Sequence, residues 1–147
     1  MKEVTGDLWI VKADARVITT NGVVKKNGAA VMGRGVALQA AQRFPDLPLL
    51  LGHSIKRWGN IPQNFEFGDV TVVTLPVKHH WGERASLSLI TSSIRLLTQL
   101  TDMMAWKVVV LPRPGCGNGG LSWGAVRPVI APLLDDRFTI AYQAGLC

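Results

Sequence analysis

Apolar and polar positions follow two distinct patterns along the chain. Short runs rich in β-branched and apolar residues predict strands at residues 8–11, 16–20, 69–77, 107–111 and 138–142. Longer segments predict helices at residues 35–44, 49–58, 86–103 and 122–134. Strands that alternate with helices indicate an α/β fold whose sheet is mostly parallel or mixed.

The predicted helix at 86–103 has the clearest start. Its apolar residues at positions 87, 90, 94, 97, 100 and 104 follow helical spacing, and Ser86 is available as the N-cap. The last predicted helix is less regular, because Pro128 removes a backbone donor from its interior. Pro128 therefore predicts either a kink or a helix that begins later than residue 122.

Composition narrows the class of protein. The chain has 147 residues, 48% of them hydrophobic and 18% charged, which fits one folded domain over 1–147 and excludes a disordered tail. The two cysteines, Cys116 and Cys147, are too few for a disulfide framework and suit a reducing compartment. No apolar segment reaches the ~18 residues of a membrane span, and the N-terminus lacks the apolar core of a signal peptide. We therefore expect a cytoplasmic protein with no membrane partner.

The net charge of +6 favours an anionic partner such as a nucleotide, a phosphorylated metabolite or a nucleic acid. A nucleic-acid-binding domain would bind unmodified DNA or RNA with a strong dependence on salt. The aromatic residues form no evident stacking series along the sequence, which ranks that function below the alternatives.

Two glycine-rich segments carry the most specific chemical signal. NGAAVMGRGV at 27–36 and PGCGNGGL at 114–121 each follow a predicted strand and precede a predicted helix. Helix N-termini present unpaired N–H groups, and glycine lets a ligand approach the backbone, so two such loops suit the two sides of a diphosphate. Tight turns without a ligand are the alternative. The chain contains no GxxxxGK[ST], and its GxGxxG match at 115–120 lacks the acidic residue that a dinucleotide site has about 20 residues on.

Four segments carry a resemblance to the macrodomain family, in the family's order. They are GDL at 6–8, VMGRGVA at 31–37 with FP at 44–45, Lys78 with HW at 80–81, and GCGNGGL at 115–121 with Trp123. Within that family, whose members bind ADP-ribose, the chain is similar to the ALC1-like class of glycohydrolases and phosphatases. The resemblance implies a three-layer α/β/α macrodomain-like sandwich with a mixed, largely parallel central sheet.

The resemblance also implies a reaction. It predicts ADP-ribose binding and hydrolysis of the bond from the distal ribose C1'' to a protein carboxylate or a DNA base. A non-catalytic ADP-ribose reader and an ADP-ribose-1''-phosphate phosphatase are the alternatives. The predicted partner is therefore ADP-ribose or an ADP-ribosylated protein or DNA, and the oligomeric state is left open.

Individual residues take roles from the same resemblance. Asp7 matches an aspartate that accepts a hydrogen bond from the adenine amino group, and Asn21 matches a polar residue near the distal ribose. Lys78 matches a lysine that attacks the anomeric carbon or stabilises charge there, so Lys78 and Asn21 are the candidate catalytic residues. A turn-capping aspartate, an Asn-Gly turn and a solvated surface lysine are the respective alternatives. The candidate ligand-binding residues are Asp7, Leu8, Ala30, Val31, Met32, Gly33, Arg34, Gly35, Val36, Pro114, Gly115, Cys116, Gly117, Asn118, Gly119, Gly120, Leu121 and Tyr142.

The chain departs from the family in one acidic residue. Hydrolases of this class often place an aspartate in or just after the second glycine loop, but no Asp or Glu lies between Asp102 and Asp135. Ser122 stands at the expected position. Either Lys78 acts alone with assistance from the substrate, or a distant acid such as Glu83 contributes, or the domain binds without rapid turnover.

No metal or cofactor is predicted. His79 and His80 are adjacent, but neither a cysteine nor a carboxylate lies at ligand spacing from them, and His53 is distant in sequence.

If the second loop holds a phosphate, we expect Gly119→Val to weaken ADP-ribose binding without unfolding the domain.

Overall fold

The computed structural model describes residues 1–143, and Cys147 lies outside the described residues. The strands and α-helices in this range are β1 Lys2–Thr5, β2 Ala15–Thr20, α1 Gly35–Arg43, α2 Leu47–Trp58, β3 Asn64–Phe67, β4 Val70–Pro76, α3 Leu87–Met104, β5 Val109–Leu111, α4 Trp123–Ile130 and β6 Phe138–Tyr142. Single 3-10 turns lie at Gly117–Gly119 and Ala131–Leu133.

The strands form one sheet in the order β1-β6-β5-β2-β4-β3. Its neighbouring strands run parallel except β3 and β4, which are antiparallel. Parallel strands bring their carboxyl ends to one edge, and β2, β4 and β5 each continue into a loop there. The mixed, largely parallel sheet predicted from the sequence is therefore confirmed.

Helices cover both faces of the sheet, because its central strands send alternate side chains into two cores. In β2, Val17 packs in the core that α3 and α4 close, whereas Ile18 packs in the core that α1 and α2 close. In β5, Val109 and Val110 divide in the same way. Successive side chains of a strand point to opposite faces, so the alternation produces the predicted α/β/α sandwich.

The strand predictions at 16–20, 69–77, 107–111 and 138–142 are confirmed, with ends shifted by no more than two residues. The prediction at 8–11 is wrong, because the chain turns there. Asp7 causes the turn: its Oδ1 accepts a hydrogen bond from Trp9 N at 2.8 Å, and its carbonyl oxygen accepts from Val11 N at 3.1 Å. A carboxylate bonded to its own backbone two residues on favours a turn over an extended strand.

Two strands of the structure are absent from the sequence prediction. β1 and β3 form the two edges of the sheet, and every residue of β1 is exposed. An edge strand that is exposed throughout shows no alternation of apolar and polar residues, so the hydrophobic pattern carries no signal for it.

The predicted helices are confirmed, with different ends. Ser86 caps α3 and Ser122 caps α4, each through a hydroxyl that accepts a first-turn N–H at 3.2 Å. Pro128 lies inside α4, which starts at Trp123 and passes into a 3-10 turn after Ile130 instead of reaching residue 134 as an α-helix. Within residues 1–143, no helix combines the length and apolar character needed to cross a bilayer.

Asp14, the residue before β2, binds the backbone just ahead of β5, and its carboxylate makes the stability of the fold depend on pH. Asp14 Oδ2 accepts hydrogen bonds from the N–H groups of Lys107 and Val108 at 2.8 and 2.9 Å, and these bonds hold the pKa of Asp14 below its usual value. A carboxyl whose pKa falls on folding stabilises the fold above its unfolded pKa, and it loses that contribution as the pH falls through its folded pKa.

We therefore expect Asp14→Asn to lower the melting temperature at pH 7 by about 2 °C. The same variant should lose less stability than the wild type between pH 7 and pH 3, since it has no carboxylate to protonate at this position. Thermal melts across that pH range check both effects. Exposed Asp136 supplies the control, Asp136→Asn. If the melting temperatures of the two variants fall by the same amount between pH 7 and pH 3, Asp14 does not have the role given to it here.

Candidate ligand-binding site

A cavity of ≈ 550 Å³ opens at the carboxyl ends of β2 and β4. Both glycine loops line it, the first through residues 31–36 and the second through residues 115–119. Asn21, which follows β2, and Lys78, which follows β4, contribute to the same wall. Residues that lie far apart in the sequence are thus brought together where ligands bind in open parallel sheets.

The first loop presents an uncapped helix N-terminus to this cavity. α1 begins at Gly35, and its N-cap residue Arg34 makes no side-chain capping bond, in contrast to Ser86 and Ser122 on α3 and α4. The N–H groups of a first helical turn have no partner within the helix. Together with the positive end of the helix dipole, they suit a phosphate.

The two loops meet at the cavity wall. Gly35 has a φ of 56°, which favours glycine, and a Cβ there would lie 3.1 Å from Asn118 Nδ2. Gly115 has a φ of 77°, and a Cβ there would lie 2.6 Å from Ile90 Cδ1 in the core. Glycine at these positions therefore serves the close contact between the loops and the packing beneath them, as well as any ligand.

Gly119 supports the fold in addition to lining the cavity. Its carbonyl oxygen accepts a hydrogen bond from Ala85 N at 2.8 Å, and a Cβ at Gly119 would lie 3.0 Å from the buried Ala85 Cβ. The expectation that Gly119→Val leaves the fold undisturbed stays a prediction, and the variant also changes the packing against Ala85. Gly33 offers a cleaner substitution, because it lines the cavity and nothing lies within 4 Å of a Cβ built on it.

Lys78 is half-buried at the rim, between the end of β4 and the second loop. Its Nζ donates to the carbonyl oxygens of Asn118 at 3.1 Å and Trp81 at 3.3 Å. An ammonium group has three N–H donors, so these bonds leave one for a ligand. Its backbone carbonyl accepts from Asn60 Nδ2 at 3.1 Å, which ties Lys78 to the end of α2.

Asn21 lines the cavity with a side chain that the backbone already engages. Its Nδ2 donates to Val31 O at 3.0 Å, and its Oδ1 accepts from Val23 N at 3.0 Å. These bonds couple the end of β2 to the first glycine loop. The contacts favour a positioning role for Asn21, and its catalytic role stays a prediction.

A second cavity, of ≈ 350 Å³, adjoins the first and contains Asp7. Val36 and Gln39 of α1 line both cavities, so this helix forms their common wall. Asp7 uses Oδ1 for the bond from Trp9 N. Within residues 1–143, Oδ2 has no hydrogen-bond partner and is available to accept one from a ligand.

Arg16 holds the turn that carries Asp7. Its guanidinium donates to the carbonyl oxygens of Leu8, at 2.7 Å, and Val11. Burial lowers the pKa of Arg16, and the nearby Asp7 carboxylate opposes that effect. Because Arg16 belongs to β2, a strand of the sheet holds this wall of the second cavity in place.

Most candidate residues line one of the two cavities. Those in the first are Asn21, Val31, Met32, Gly33, Arg34, Gly35, Val36, Lys78, Gly115, Cys116, Gly117, Asn118 and Gly119. Those in the second are Asp7, Leu8 and, again, Val36. The candidates that line neither are Ala30, Pro114, Gly120, Leu121 and Tyr142.

Packing accounts for several of the candidates outside the cavities. Ala30 is buried in the core beneath α1 and α2, and Leu121 packs against the core on the opposite face of the sheet. The Tyr142 ring centroid lies 3.8 Å from the Arg113 guanidinium carbon. A ligand-binding role for these residues stays a prediction.

Other cavity residues are absent from the sequence prediction. They are Thr19, Thr20, Ala37, Gln39, Val77 and Trp81 in the first cavity, and Gly6, Trp9, Arg43, Ala141 and Gln143 in the second. Gly6, Ala37 and Trp81 had a signal, because they belong to segments that resemble macrodomains. The others depend on strand order and on which face of α1 meets the cavity, and local sequence does not encode either.

Charge in the first cavity is one-sided. Arg34 and Lys78 line it, and no Asp or Glu among the described residues does. Glu83 is exposed and lines neither cavity, and Ser122 is the cap of α4. The site therefore suits an anion. In the same range, no group of three or more His, Cys, Asp or Glu is arranged to hold a metal ion.

Comparison with solved structures decides the fold. The macrodomain of Mycobacterium tuberculosis DarG matches with a TM-score of 0.84 at 27% identity, over 98% of this chain and 97% of that chain. This chain has the macrodomain fold. The structure of Thermosipho africanus DarTG in complex with ADP-ribose shares the fold with this macrodomain, at a TM-score of 0.82 and 23% identity, over 97% of this chain and 41% of that chain.

Sequence comparison finds relatives that are longer than this macrodomain. In an alignment of 147 positions that covers 95% of this chain, it is 30% identical to a DNA ADP-ribosyl glycohydrolase of Mycobacterium tuberculosis. In an alignment of 143 positions that covers 92% of this chain, it is 27% identical to a DNA ADP-ribosyl glycohydrolase of Thermus aquaticus. The chain spans 38% of the length of each of these relatives. No family model matches it.

Proposed function

We propose that this macrodomain binds ADP-ribose across the two adjoining cavities and hydrolyses the bond between the distal ribose C1'' and a DNA base. One observation carries the proposal: the two glycine loops face a single cavity that also holds Lys78, and that cavity shares a wall with the cavity that holds Asp7. ADP-ribose has the matching layout, with a diphosphate between an adenosine and a second ribose.

In this arrangement the adenine lies in the second cavity. The exocyclic amine donates to Asp7 Oδ2, an acceptor that ionised aspartate supplies. The turn held by Arg16 keeps that oxygen in place. Val36 and Gln39, which line both cavities, lie beside the junction of adenosine and diphosphate.

The diphosphate lies between the loops. The first turn of α1 supplies N–H groups, and the glycines of the second loop let the backbone approach from the opposite side. Arg34 and Lys78 add positive charge, and the described part of the cavity wall has no carboxylate that would repel the ligand.

The distal ribose lies at the Lys78 end, where the reaction takes place. Hydrolysis breaks the bond between C1'' and the base, adds the oxygen of water to C1'' and returns a proton to the base. Positive charge develops at C1'' in the transition state and is stabilised by the negative diphosphate, whereas the fixed Nζ of Lys78 stabilises the negative charge that develops on the departing base. The bonds of Lys78 to Asn118 and Trp81 position the Nζ before the substrate binds.

Two relatives named as DNA ADP-ribosyl glycohydrolases support a DNA-linked substrate, as does the net charge of +6. The same relatives support placing this macrodomain in the ALC1-like class, because that class includes glycohydrolases that act on ADP-ribosylated DNA. Work inside the cell, in the cytoplasm, is part of the proposal and accords with the absence of a disulfide framework.

A reader that binds ADP-ribose without cleaving it is the second candidate. The observation that favours it is the cavity wall, which within residues 1–143 has no Asp or Glu to act as a general acid or base. The reader predicts the same affinity for ADP-ribose and no release of product.

A substrate panel tests the function directly. The chain is incubated with mono-ADP-ribosylated DNA, mono-ADP-ribosylated protein and ADP-ribose-1''-phosphate, and ADP-ribose is measured by chromatography. We expect release from the DNA substrate at a rate at least tenfold above that from the protein. If ADP-ribose is released mainly from the protein, or only from ADP-ribose-1''-phosphate, that compound and not DNA is the substrate. Binding without any release would establish the reader.

A further inference from the structure

Two tryptophans are exposed, one at the end of α2 and the other on the segment that follows β4. Trp58 is 59% exposed and Trp81 is 53% exposed. The other three tryptophans of the described chain are buried or half-buried. An indole has a large apolar area that folding ordinarily removes from water, so two exposed indoles in one region point to a ligand that covers them.

Hydrogen bonds link Lys78 to the two segments that carry these tryptophans. The carbonyl oxygen of Trp81 accepts from Lys78 Nζ at 3.3 Å, and Trp81 lines the cavity. Trp58 is the last residue of α2, and two residues later Asn60 Nδ2 donates to Lys78 O at 3.1 Å. Two residues span at most ~7 Å, so the end of α2 and the segment that follows β4 come together at Lys78.

Basic side chains accompany Trp58. Lys56 and Arg57 are exposed on the last turn of α2, and the Arg57 guanidinium carbon lies 4.9 Å from the centroid of the Trp58 ring system. No acidic residue occurs between Asp46 and Glu66, so nothing along α2 after its N-cap offsets these charges. This end of the helix suits a chain of phosphates.

A second basic pair lies near α2. Lys25 and Lys26 are exposed on the loop that packs against α2, where Gly52 leaves room for the carbonyl oxygen of Gly28. Lys56 lies four residues beyond Gly52 and therefore on the same side of the helix. We define the flanking surface as Lys25, Lys26, Lys56, Arg57, Trp58 and Trp81.

We propose that the flanking surface binds unpaired nucleotides on either side of the ADP-ribosylated base. Neighbouring bases stack on Trp58 and Trp81, and their phosphates lie beside the lysines and Arg57. Stacking on an indole tolerates every base but requires that base to be unpaired, and the cations contribute irrespective of sequence. The inference rests on the proposed function, because it places the modified base at Lys78.

The test compares two substrates that carry the same ADP-ribosylated base. One is a single mononucleotide, and the other is a single strand of about 15 nucleotides with the modification at its centre. Affinity and kcat/KM are measured for both with the full chain. We expect the strand to exceed the mononucleotide roughly tenfold or more in both quantities, since each stacked base contributes up to about tenfold. Annealing a complementary strand should remove the advantage.

Variants then assign the advantage to residues. Trp58→Ala and Arg57→Glu should each reduce it about fivefold, and neither should change the affinity for ADP-ribose, since neither residue lines a cavity. Trp58→Phe should retain most of it, because an aromatic face remains. Arg95→Glu, an equal change of charge at an exposed site on α3, is the matched control and should retain it fully. Arg57→Glu should also flatten the salt dependence of strand binding.

The outcomes separate this inference from the proposed function. If the wild type binds the strand and the mononucleotide with the same affinity and the same kcat/KM, the proposal of a flanking surface is wrong, even if both substrates are hydrolysed. Equal losses in Trp58→Ala and Trp58→Phe, or in Arg57→Glu and Arg95→Glu, also overturn it. If neither substrate is hydrolysed but the strand binds more tightly in a manner that depends on Trp58, the hydrolase proposal fails and the nucleotide-binding surface stands.

Discussion

Lys78→Ala is expected to lower the release of ADP-ribose from ADP-ribosylated DNA at least ~100-fold. The substitution removes the cation that follows β4 and lines the cavity, together with its bonds to the carbonyl oxygens of Asn118 and Trp81. The affinity for ADP-ribose should fall by less than about tenfold, because the loops and Asp7 still hold the diphosphate and the adenine. Single-turnover kinetics and calorimetry measure the two effects separately.

Lys107→Ala is the matched control for this experiment. Lys107 is exposed ahead of β5, at the opposite edge of the sheet, and lines neither cavity. It should keep full activity. If Lys78→Ala also keeps full activity, Lys78 has no role in the reaction; if it loses ADP-ribose binding and release in equal proportion, Lys78 binds the ligand without acting on C1''.

Gly33→Val is expected to weaken ADP-ribose binding between about tenfold and 100-fold, measured by calorimetry. Gly33 lines the cavity with nothing within 4 Å of a Cβ built on it, so valine fits the fold but occupies space beside the first glycine loop. It keeps a phosphate from the N–H groups of the first turn of α1, and each lost charge-assisted hydrogen bond is costly.

Gly124→Val separates this effect from a general effect of valine. Gly124 lies on α4, nothing lies within 4 Å of a Cβ built on it, and it lines neither cavity. Both variants should melt within a few degrees of the wild type, and Gly124→Val should bind ADP-ribose normally. Unchanged affinity in Gly33→Val would show that the diphosphate does not lie against the first loop.

The site residues predicted from sequence that line the first cavity share one property: each lies at a strand-to-helix turn or just after a strand. Glycines at 33, 35, 115 and 117, and Lys78 after β4, could be predicted because a parallel sheet brings such positions to one edge. Trp58 could not, because the sequence shows only the end of a helix. The connection between the end of α2 and Lys78 depends on the hydrogen bond from Asn60, a residue 18 positions away from Lys78.

The first strand shows the limits of pattern more plainly. The sequence LWIV at 8–11 is apolar and β-branched, yet Asp7 and Arg16 bind its backbone and turn it. The sequence KEVT at 2–5 is polar and exposed, yet it pairs in parallel with β6. In both segments, contacts with residues outside the segment override its local preference for a strand or for a loop.

The alternation of strands and helices, the two glycine loops and the lysine that follows β4 could all be predicted from local sequence. Hydrophobic period and backbone freedom depend on residues that are neighbours in the chain. The strand order β1-β6-β5-β2-β4-β3 and the wall of α1 that two cavities share are visible only in the folded protein. The same holds for Gly115 and Gly119, which both line the first cavity and pack against the core. These depend on which distant segments pack against each other, and free energy of packing is a property of the whole chain.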